Sequence, residues 1–96
     1  KTTNSKAILK CVAEFYGIPT KDIISRGRRQ EVVKPRQVAM YLMRLECNTS
    51  YPSIGDEVGG RDHTTAIHSY KQVENNLRNN ELLNDEIESI RERLYS

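Results

Sequence analysis

The sequence predicts a single all-α domain of six helices that contains a helix-turn-helix. Its 96 residues correspond to one domain, spanning residues 1–96. Six segments are amphipathic or capped at helical spacing, and no segment alternates apolar and polar residues as a half-buried strand does. Between the fourth and fifth segments, Gly59 can close one helix and Asp62 can cap the next. These observations together predict two helices joined by a tight turn.

The first helix is expected to begin with Ser5 as its cap and to end near Tyr16, because Gly17 follows. Its apolar residues share one face: Ala7, Ile8, Cys11, Val12 and Phe15. A short second helix over residues 21–24 follows Thr20 as cap, and we expect Ile23 and Ile24 to anchor it in the core.

Residues 25–33 have no helical period and are predicted to form a basic loop. Pro35 fits the first turn of a third helix, which runs to about Cys47. The core face of this helix comprises Val38, Tyr41, Leu42 and Leu45. Arg36, Gln37 and Arg44 lie elsewhere on the helix. In one interpretation these three are merely solvated, and in the other they contact phosphates without reading sequence.

Ser50 and Pro52 predict the start of a fourth helix over residues 53–58, with Ile54 and Val58 in the core. The fifth helix runs from Asp62 to about Asn79. The sixth is acidic, and its apolar residues are Leu83, Ile87, Ile90 and Leu94. We interpret the sixth helix as a cover over the core whose acidic face is kept away from any nucleic acid.

The distribution of charge indicates an anionic partner better than the net charge of +2 does. Residues 1–50 hold ten basic and four acidic residues, whereas residues 51–96 hold five basic and nine acidic ones. Between Arg26 and Arg44 there are six basic residues and a single acid, Glu31. A clustered basic face can bind phosphate even when the total charge is small. The arginines near residue 28 could form an arm that enters a narrow minor groove, or the loop could be only a solvated linker.

Several other classes of protein are disfavoured. No apolar run approaches the ~18 residues that span a membrane. Cys11 and Cys47 are isolated, and with two histidines they do not have the spacing of a metal site. Residues 62, 63 and 69 have the residue types of a Ser-His-Asp triad, but adjacent residues on one helical turn diverge, so these side chains cannot line up as nucleophile, base and orienter and we expect no enzyme. A phosphate-binding glycine-rich loop is absent, so no nucleotide cofactor is expected in this chain.

The first turn of the fifth helix is the main candidate site. Asp62 can accept the N–H of Thr65 as a cap, and in the simplest interpretation the turn is only a well-capped helix start. Alternatively its short side chains read bases: Asp62 can accept from a cytosine amino group, His63 can bond a base edge, and the Thr64 methyl can pack on thymine. Thr65 and the helix N–H groups can hold a phosphate. Arg61 is placed for a phosphate or base contact.

The run Gly-Gly-Arg-Asp-His-Thr-Thr at residues 59–65, followed by Ala-Ile-His, resembles the signature of the C-terminal DNA-binding domain of the bacterial replication initiator DnaA. So do Lys-Pro-Arg-Gln-Val-Ala-Met-Tyr-Leu at residues 34–42 and Ser-Ile-Gly at residues 53–55. Phe-Tyr-Gly-Ile at residues 15–18 resembles the opening helix and turn of that family. The resemblance covers about residues 5–77 and implies a Trp-repressor-like helix-turn-helix.

The resemblance also implies roles for individual residues. Asp62, His63 and Thr64 would read bases in the major groove, and Arg28 would enter the minor groove. The residues placed near the DNA backbone are Arg36, Gln37, Arg44, Pro52 and Thr65, to which Arg61 is added on its position alone. The basic loop matches the family least well, because Glu31 lies within it, so Arg26 or Arg29 could take the place of Arg28.

The function implied is sequence-specific binding of double-stranded DNA at the DnaA boxes of a replication origin, in the initiation of chromosome replication. The chain begins at Lys1 rather than Met, which favours a fragment of a longer protein, and the resemblance implies an ATP-binding module upstream. We expect a monomer in isolation, self-assembly of the full-length protein on the origin, and a cytoplasmic, nucleoid-associated location.

Two alternatives stay open. The first is a stand-alone regulator or mobile-element protein that carries the same DNA-binding module, and an ATP-binding motif upstream of Lys1 would exclude it. The second is a protein-interaction module in which the acidic last helix docks a partner.

Overall fold

The computed structural model describes residues 2–96, and within them helices are the regular secondary structure. The six helices are α1 (Ser5–Tyr16), α2 (Thr20–Ile23), α3 (Gln30–Cys47), α4 (Tyr51–Glu57), α5 (His63–Leu77) and α6 (Glu81–Tyr95). The predicted all-α, six-helix architecture is therefore confirmed. The differences from the prediction lie in where individual helices begin and end. The fourth helix begins at Tyr51 rather than Ser53, and the fifth ends at Leu77 rather than near Asn79.

The first two helices begin one residue earlier than predicted. Asn4, not Ser5, caps α1, since the Asn4 Oδ1 accepts the N–H of Ala7 at 2.9 Å and Ser5 is already helical and buried. Gly17 ends α1 in the left-handed conformation, with φ of 70°, as predicted. Thr20 is the first residue of α2 rather than its cap. Ile23 is fully buried, as predicted, but Ile24 is 37% exposed and does not anchor α2 in the core.

The third helix begins at Gln30, five residues before Pro35. The Arg29 carbonyl accepts the N–H groups of Val32 and Val33 at 3.0 and 2.9 Å, so the first turn is complete before the proline. Pro35 then lies in the second turn, where it has no N–H to donate to the carbonyl one turn earlier. Burial of Val32 and Pro35 against the rest of the molecule offsets that loss. The sequence alone favours the commoner position of proline, in the first turn.

The core surrounds α3. This helix contributes a continuous run of buried apolar residues, from Val38 to Met43. The other helices bury Ile8, Val12, Ile23, Ile54, Ala66, Val73, Leu83, Ile87 and Ile90 against it. Leu45, which we expected in the core, is instead 44% exposed.

The last helix covers the core through Leu83, Ile87 and Ile90, as predicted. One acidic residue of this helix and one of α3 join the helix to the rest of the fold. Glu86 accepts from the hydroxyl of Tyr16 at 2.8 Å and lies 3.0 Å from the Lys34 ammonium. Burial, reinforced by this hydrogen bond, raises the pKa of Tyr16 above its usual value. On α3, Glu46 lies 2.8 Å from Arg91 Nε and also bonds Tyr95.

Candidate nucleic-acid interface

The turn between α4 and α5 is as tight as the two glycines predict. Gly59 and Gly60 both have positive φ, at 80° and 70°, which favours glycine. Arg61 N–H donates to the Gly55 carbonyl at 2.7 Å, which ties the end of the turn back to α4. A Cβ atom on Gly55 would lie only 2.0 Å from the Arg61 carbonyl oxygen. The helices α4 and α5 thus form the predicted helix-turn-helix, at a separation that requires glycine at position 55.

Asp62 caps α5, but through a different partner from the one predicted. Its Oδ1 atom accepts the N–H of Thr64 at 3.4 Å, whereas the N–H of Thr65 bonds to the Asp62 backbone carbonyl at 3.0 Å. His63 Nδ1 also lies 2.9 Å from Asp62 Oδ1. Both side-chain contacts use Oδ1, so neither occupies the second carboxylate oxygen, Oδ2.

The predicted base-reading residues lie together on an open surface. Asp62, His63, Thr64 and Thr65 are all exposed, and Ala66 behind them is buried. His68, one turn after Thr64, is exposed as well. Its position deeper along the helix favours a structural role over base contact, but it is not part of the core. Ser69 is buried, so it cannot meet the exposed Asp62 and His63 as the nucleophile of a triad.

The basic loop is shorter than predicted and carries no acid. Because α3 begins at Gln30, the loop comprises residues 25–29, and Glu31 instead lies in the first turn of α3. A carboxylate there is favoured by the helix dipole. Arg26, Arg28 and Arg29 are exposed. None of these three arginines has a carboxylate within 4.0 Å among residues 2–96.

Arg36 is only 6% exposed, so it is not the merely solvated residue of the first interpretation. Its Nε donates to the Ile23 carbonyl at 2.6 Å, and its two terminal nitrogens donate to the carbonyls of Gly27 at 2.9 Å and Ser25 at 3.0 Å. A longer contact of 3.4 Å reaches the Asp22 carbonyl. Helical spacing could not indicate this burial, because the acceptors lie 9 to 14 residues away along the chain.

Arg61 is held in a similar way from the opposite side of the loop. Its guanidinium donates to the Val58 carbonyl at 2.6 Å and also to the Ser25 carbonyl, which Arg36 shares. Burial, and then mutual repulsion with Arg61, lowers the pKa of Arg36. Burial, and then repulsion from Arg26, lowers the pKa of Arg61. Both guanidinium groups keep their charge at neutral pH, since free arginine titrates far above it.

A polar cleft of about 480 Å³ separates the basic loop from the start of α5. Its lining residues are Arg26, Gly27, Arg28, Arg36, Gly60, Arg61, Asp62 and Thr65. The structure therefore brings Arg28 to the same cleft as Asp62 and Thr65, which the sequence could only suggest. Four arginines face this cleft and one carboxylate does, so its electrostatic potential is positive.

The other residues predicted to contact the DNA backbone lie outside this cleft. Gln37 is half-buried in a separate groove, which it shares with Lys34 and Asn76. Arg44 lies over the ring of Tyr51, with its guanidinium carbon 4.7 Å from the ring centroid, and donates to the Thr49 carbonyl at 3.2 Å. Pro52 is exposed in the first turn of α4, next to Tyr51. Arg44 and Pro52 thus both lie at the start of α4, away from the cleft.

Neither a metal centre nor a membrane span is found in residues 2–96. In that part of the chain no three histidine, cysteine or acidic side chains gather as metal ligands would. Over the same residues, every helix is too short or too polar to cross a bilayer. Cys11 and Cys47 are free thiols whose pKa values are raised, chiefly by burial.

Comparison with known proteins identifies the family. A family model described as "Bacterial dnaA protein helix-turn-helix" matches residues 5–73, which include all of α1 to α4 and most of α5. The chain belongs to this family. The expectation drawn from the run at residues 59–65 is thereby confirmed.

Two curated relatives are similar over nearly the whole chain. A chromosomal replication initiator protein DnaA from Herpetosiphon aurantiacus is 43% identical over 95 residues, which cover 99% of this chain and 20% of the relative. A protein of the same name from Thermomicrobium roseum is 42% identical over 88 residues, covering 92% of this chain and 19% of the relative. The chain spans about one fifth of the length of these relatives.

Proposed function

We propose that this chain binds double-stranded DNA at specific short sites, the DnaA boxes of a replication origin, and so takes part in the initiation of chromosome replication. The observation that carries the proposal is the exposed first turn of α5, in a helix-turn-helix of the DnaA family. Beside it lies a loop of arginines that have no carboxylate within 4.0 Å among the described residues. In helix-turn-helix proteins the N-terminal residues of the second helix contact base edges in the major groove.

The geometry of Asp62 and His63 leaves polar atoms on both side chains available for hydrogen bonds to bases. Because a carboxylate only accepts hydrogen bonds, His63 Nδ1 is the donor in its contact with Asp62, and Nε2 remains available for a base edge. Asp62 Oδ2 is an acceptor on the same turn. Such an acceptor suits the exocyclic amino group of cytosine in the major groove. Thr64 adds a methyl group that can pack against a thymine methyl.

The arginine loop supports a contact to the minor groove. Arg28 is exposed at the rim of the cleft, and a guanidinium is attracted to a groove narrowed by A·T-rich sequence. The strand that separates the two grooves would then run through the cleft, where Thr65 and the first N–H groups of α5 can bond a phosphate. Arg44, Gln37 and Pro52 would contact the backbone on either side of this strand.

The wider role rests on the relatives, since the chain spans about one fifth of their length. The same proposal therefore includes ATP binding by a module upstream of this domain, no cofactor and no catalysis in the domain itself, and self-assembly of the full-length protein on the origin. We further propose that the isolated domain is a monomer and that the protein is cytoplasmic and associated with the nucleoid.

A direct binding experiment tests this proposal. The isolated chain should bind a DnaA-box duplex about 10³-fold or more tightly than a scrambled duplex of the same composition at physiological salt, the lower end of the range for specific DNA-binding proteins. Fluorescence anisotropy with labelled duplexes measures both affinities. Equal affinities for the two duplexes would contradict sequence-specific binding, and no binding to either duplex would favour a protein-interaction module.

Replacing Arg44 with alanine should weaken binding to specific and random duplexes by a similar factor. The side chain lies against Tyr51 at the start of α4, where it can neutralise a phosphate. Loss of one phosphate contact should reduce the slope of log affinity against log salt by about one unit. Arg78→Ala, at an exposed position beyond α5, is the control. An unchanged slope for Arg44→Ala would place this surface away from the DNA.

A further inference from the structure

We infer that Arg36 is a positioning residue for DNA recognition: with Arg61 it fastens the basic loop to the helix-turn-helix, so that Arg28 is presented at a fixed place relative to α5. The inference rests on the proposed DNA binding and assigns to Arg36 a role other than the predicted phosphate contact. It concerns the contact between the loop of residues 25–29 and the turn of residues 58–61, which nothing in the local sequence pattern indicates.

The first observation is the number of backbone carbonyls that accept hydrogen bonds from one guanidinium. Arg36 donates to Ile23, Ser25 and Gly27 and reaches Asp22, so a single side chain spans the end of α2 and most of the loop. Four of its five N–H groups are thereby occupied by the protein. A guanidinium with so few free donors, and only 6% exposed, is poorly placed to bind a phosphate as well.

The second observation is the shared acceptor. The Ser25 carbonyl accepts from both Arg36 and Arg61, and Arg61 also donates to the Val58 carbonyl in the helix-turn-helix turn. One carbonyl therefore joins α3, the loop and the turn before α5. The backbone immediately before the loop also lies close to that turn, because a Cβ atom on Gly59 would be 2.2 Å from the Ile24 carbonyl oxygen.

The third observation is electrostatic. Two guanidinium groups are held on one carbonyl with no carboxylate within 4.0 Å of either, in the part of the chain that the structure describes. Such an arrangement opposes folding by charge repulsion, and it is stabilised here by backbone acceptors alone.

These contacts also order the loop before DNA binds. Without them, a loop that contains Gly27 and three exposed arginines would lose conformational freedom on binding. Fixing the loop beforehand removes that entropic loss from the binding step.

The substitution Arg36→Lys separates positioning from phosphate binding. Lysine keeps the positive charge and binds phosphate as a point charge, so a phosphate contact would be largely retained. A single ammonium cannot bond three carbonyls spread along a loop in the geometry of a planar guanidinium. Positioning by Arg36 therefore predicts that Arg36→Lys behaves like a loss of Arg28, whereas a phosphate contact predicts behaviour near that of the wild type.

The experiment compares DnaA-box duplexes that have an A·T-rich or a G·C-rich flank on the side of the loop. We expect the wild type to prefer the A·T-rich flank, and Arg28→Ala to lose that preference. Arg36→Lys should reduce the preference by about three- to tenfold although Arg28 is present, the range for ordering one or two flexible side chains. Combining Arg28→Ala with Arg36→Lys should have no further effect on it. The salt slope of Arg36→Lys should match the wild type, and so should every property of the control Arg78→Lys.

Retention of the wild-type flank preference by Arg36→Lys would overturn the inference, and so would independent effects of the two substitutions in the double variant. If thermal melts show that Arg36→Lys is unfolded, Arg61→Lys provides the same test, because Arg61 bonds the same Ser25 carbonyl and is only half-buried. A readout without DNA separates this inference from the proposed function. NMR order parameters of residues 26–29 should fall from about 0.85 to below about 0.6 in Arg36→Lys. Unchanged order parameters would contradict the inference even if the wild type binds DnaA boxes.

Discussion

Replacing Gly55 with alanine is expected to lower the free energy of unfolding by about 3 kcal/mol, the upper part of the range for overpacking a closely packed site. At an ordinary helical position the same change would stabilise the protein by up to about 1 kcal/mol. Here the new Cβ would lie 2.0 Å from the Arg61 carbonyl oxygen, and backbone atoms cannot move aside as a flexible side chain can. The hydrogen bond from Arg61 N–H to the Gly55 carbonyl would lengthen or break.

Thermal unfolding followed by circular dichroism measures this effect. For a domain of this size, 3 kcal/mol corresponds to a decrease in Tm of about 12–24 °C. Asp56→Ala is the matched control, because it introduces the same side chain at the next, exposed position of α4 and should change Tm by only a few degrees. A Gly55→Ala protein that melts at or above the wild-type temperature would show that α4 and α5 do not approach as closely as described.

Replacing Thr64 with alanine is expected to weaken binding to a DnaA-box duplex by about 1–3 kcal/mol, the range for one direct base contact. Binding to a scrambled duplex should scarcely change, because phosphates supply that part of the affinity. Thr64 is exposed, and only its backbone N–H takes part in the cap, so its side chain adds little to folding. We expect a change in stability within about 0.5 kcal/mol.

Anisotropy titrations on the two duplexes, with melts of each variant, measure these changes. Thr64→Ser keeps the hydroxyl and removes the methyl, so it distinguishes packing against thymine from a hydrogen bond. Gln72→Ala, at an exposed position two turns further along α5, is the control. If the ratio of specific to random affinity is unaltered in folded Thr64→Ala, the claim that α5 reads bases through this residue is wrong. Asp62→Ala is a poorer probe, since it also removes the cap, a loss of about 1 kcal/mol in stability.

The elements that the sequence predicts well are those set by neighbours a few residues apart. Gly17 ends α1 in the left-handed conformation, and Ser50 caps α4 by accepting the N–H of Ser53. The positive φ values of Gly59 and Gly60 follow from the need for a tight turn. In α6 the burial of Leu83, Ile87 and Ile90 follows directly from their helical spacing. Local steric preference and apolar periodicity are sufficient for these features.

Where the prediction fails locally, two short-range signals compete. Ser5 and Asn4 are both good caps, and the structure uses Asn4 because Ser5 is buried as the first residue of the helix. Pro35 indicates a helix start, but burial of Val32 extends α3 back to Gln30. The energies of caps and of one buried side chain are each about 1–2 kcal/mol, so only the packed structure decides between them.

The sequence by itself determined the six helices, the helix-turn-helix and the polar first turn of α5, because each depends on spacing within one segment. Only the tertiary structure decided what the arginines do. Arg36 and Arg61 meet at the Ser25 carbonyl from positions 11 and 36 residues away along the chain. The close approach that requires Gly55 likewise depends on two helices packed together. Contacts of this kind arise from how helices pack, and no periodicity within a single helix encodes them.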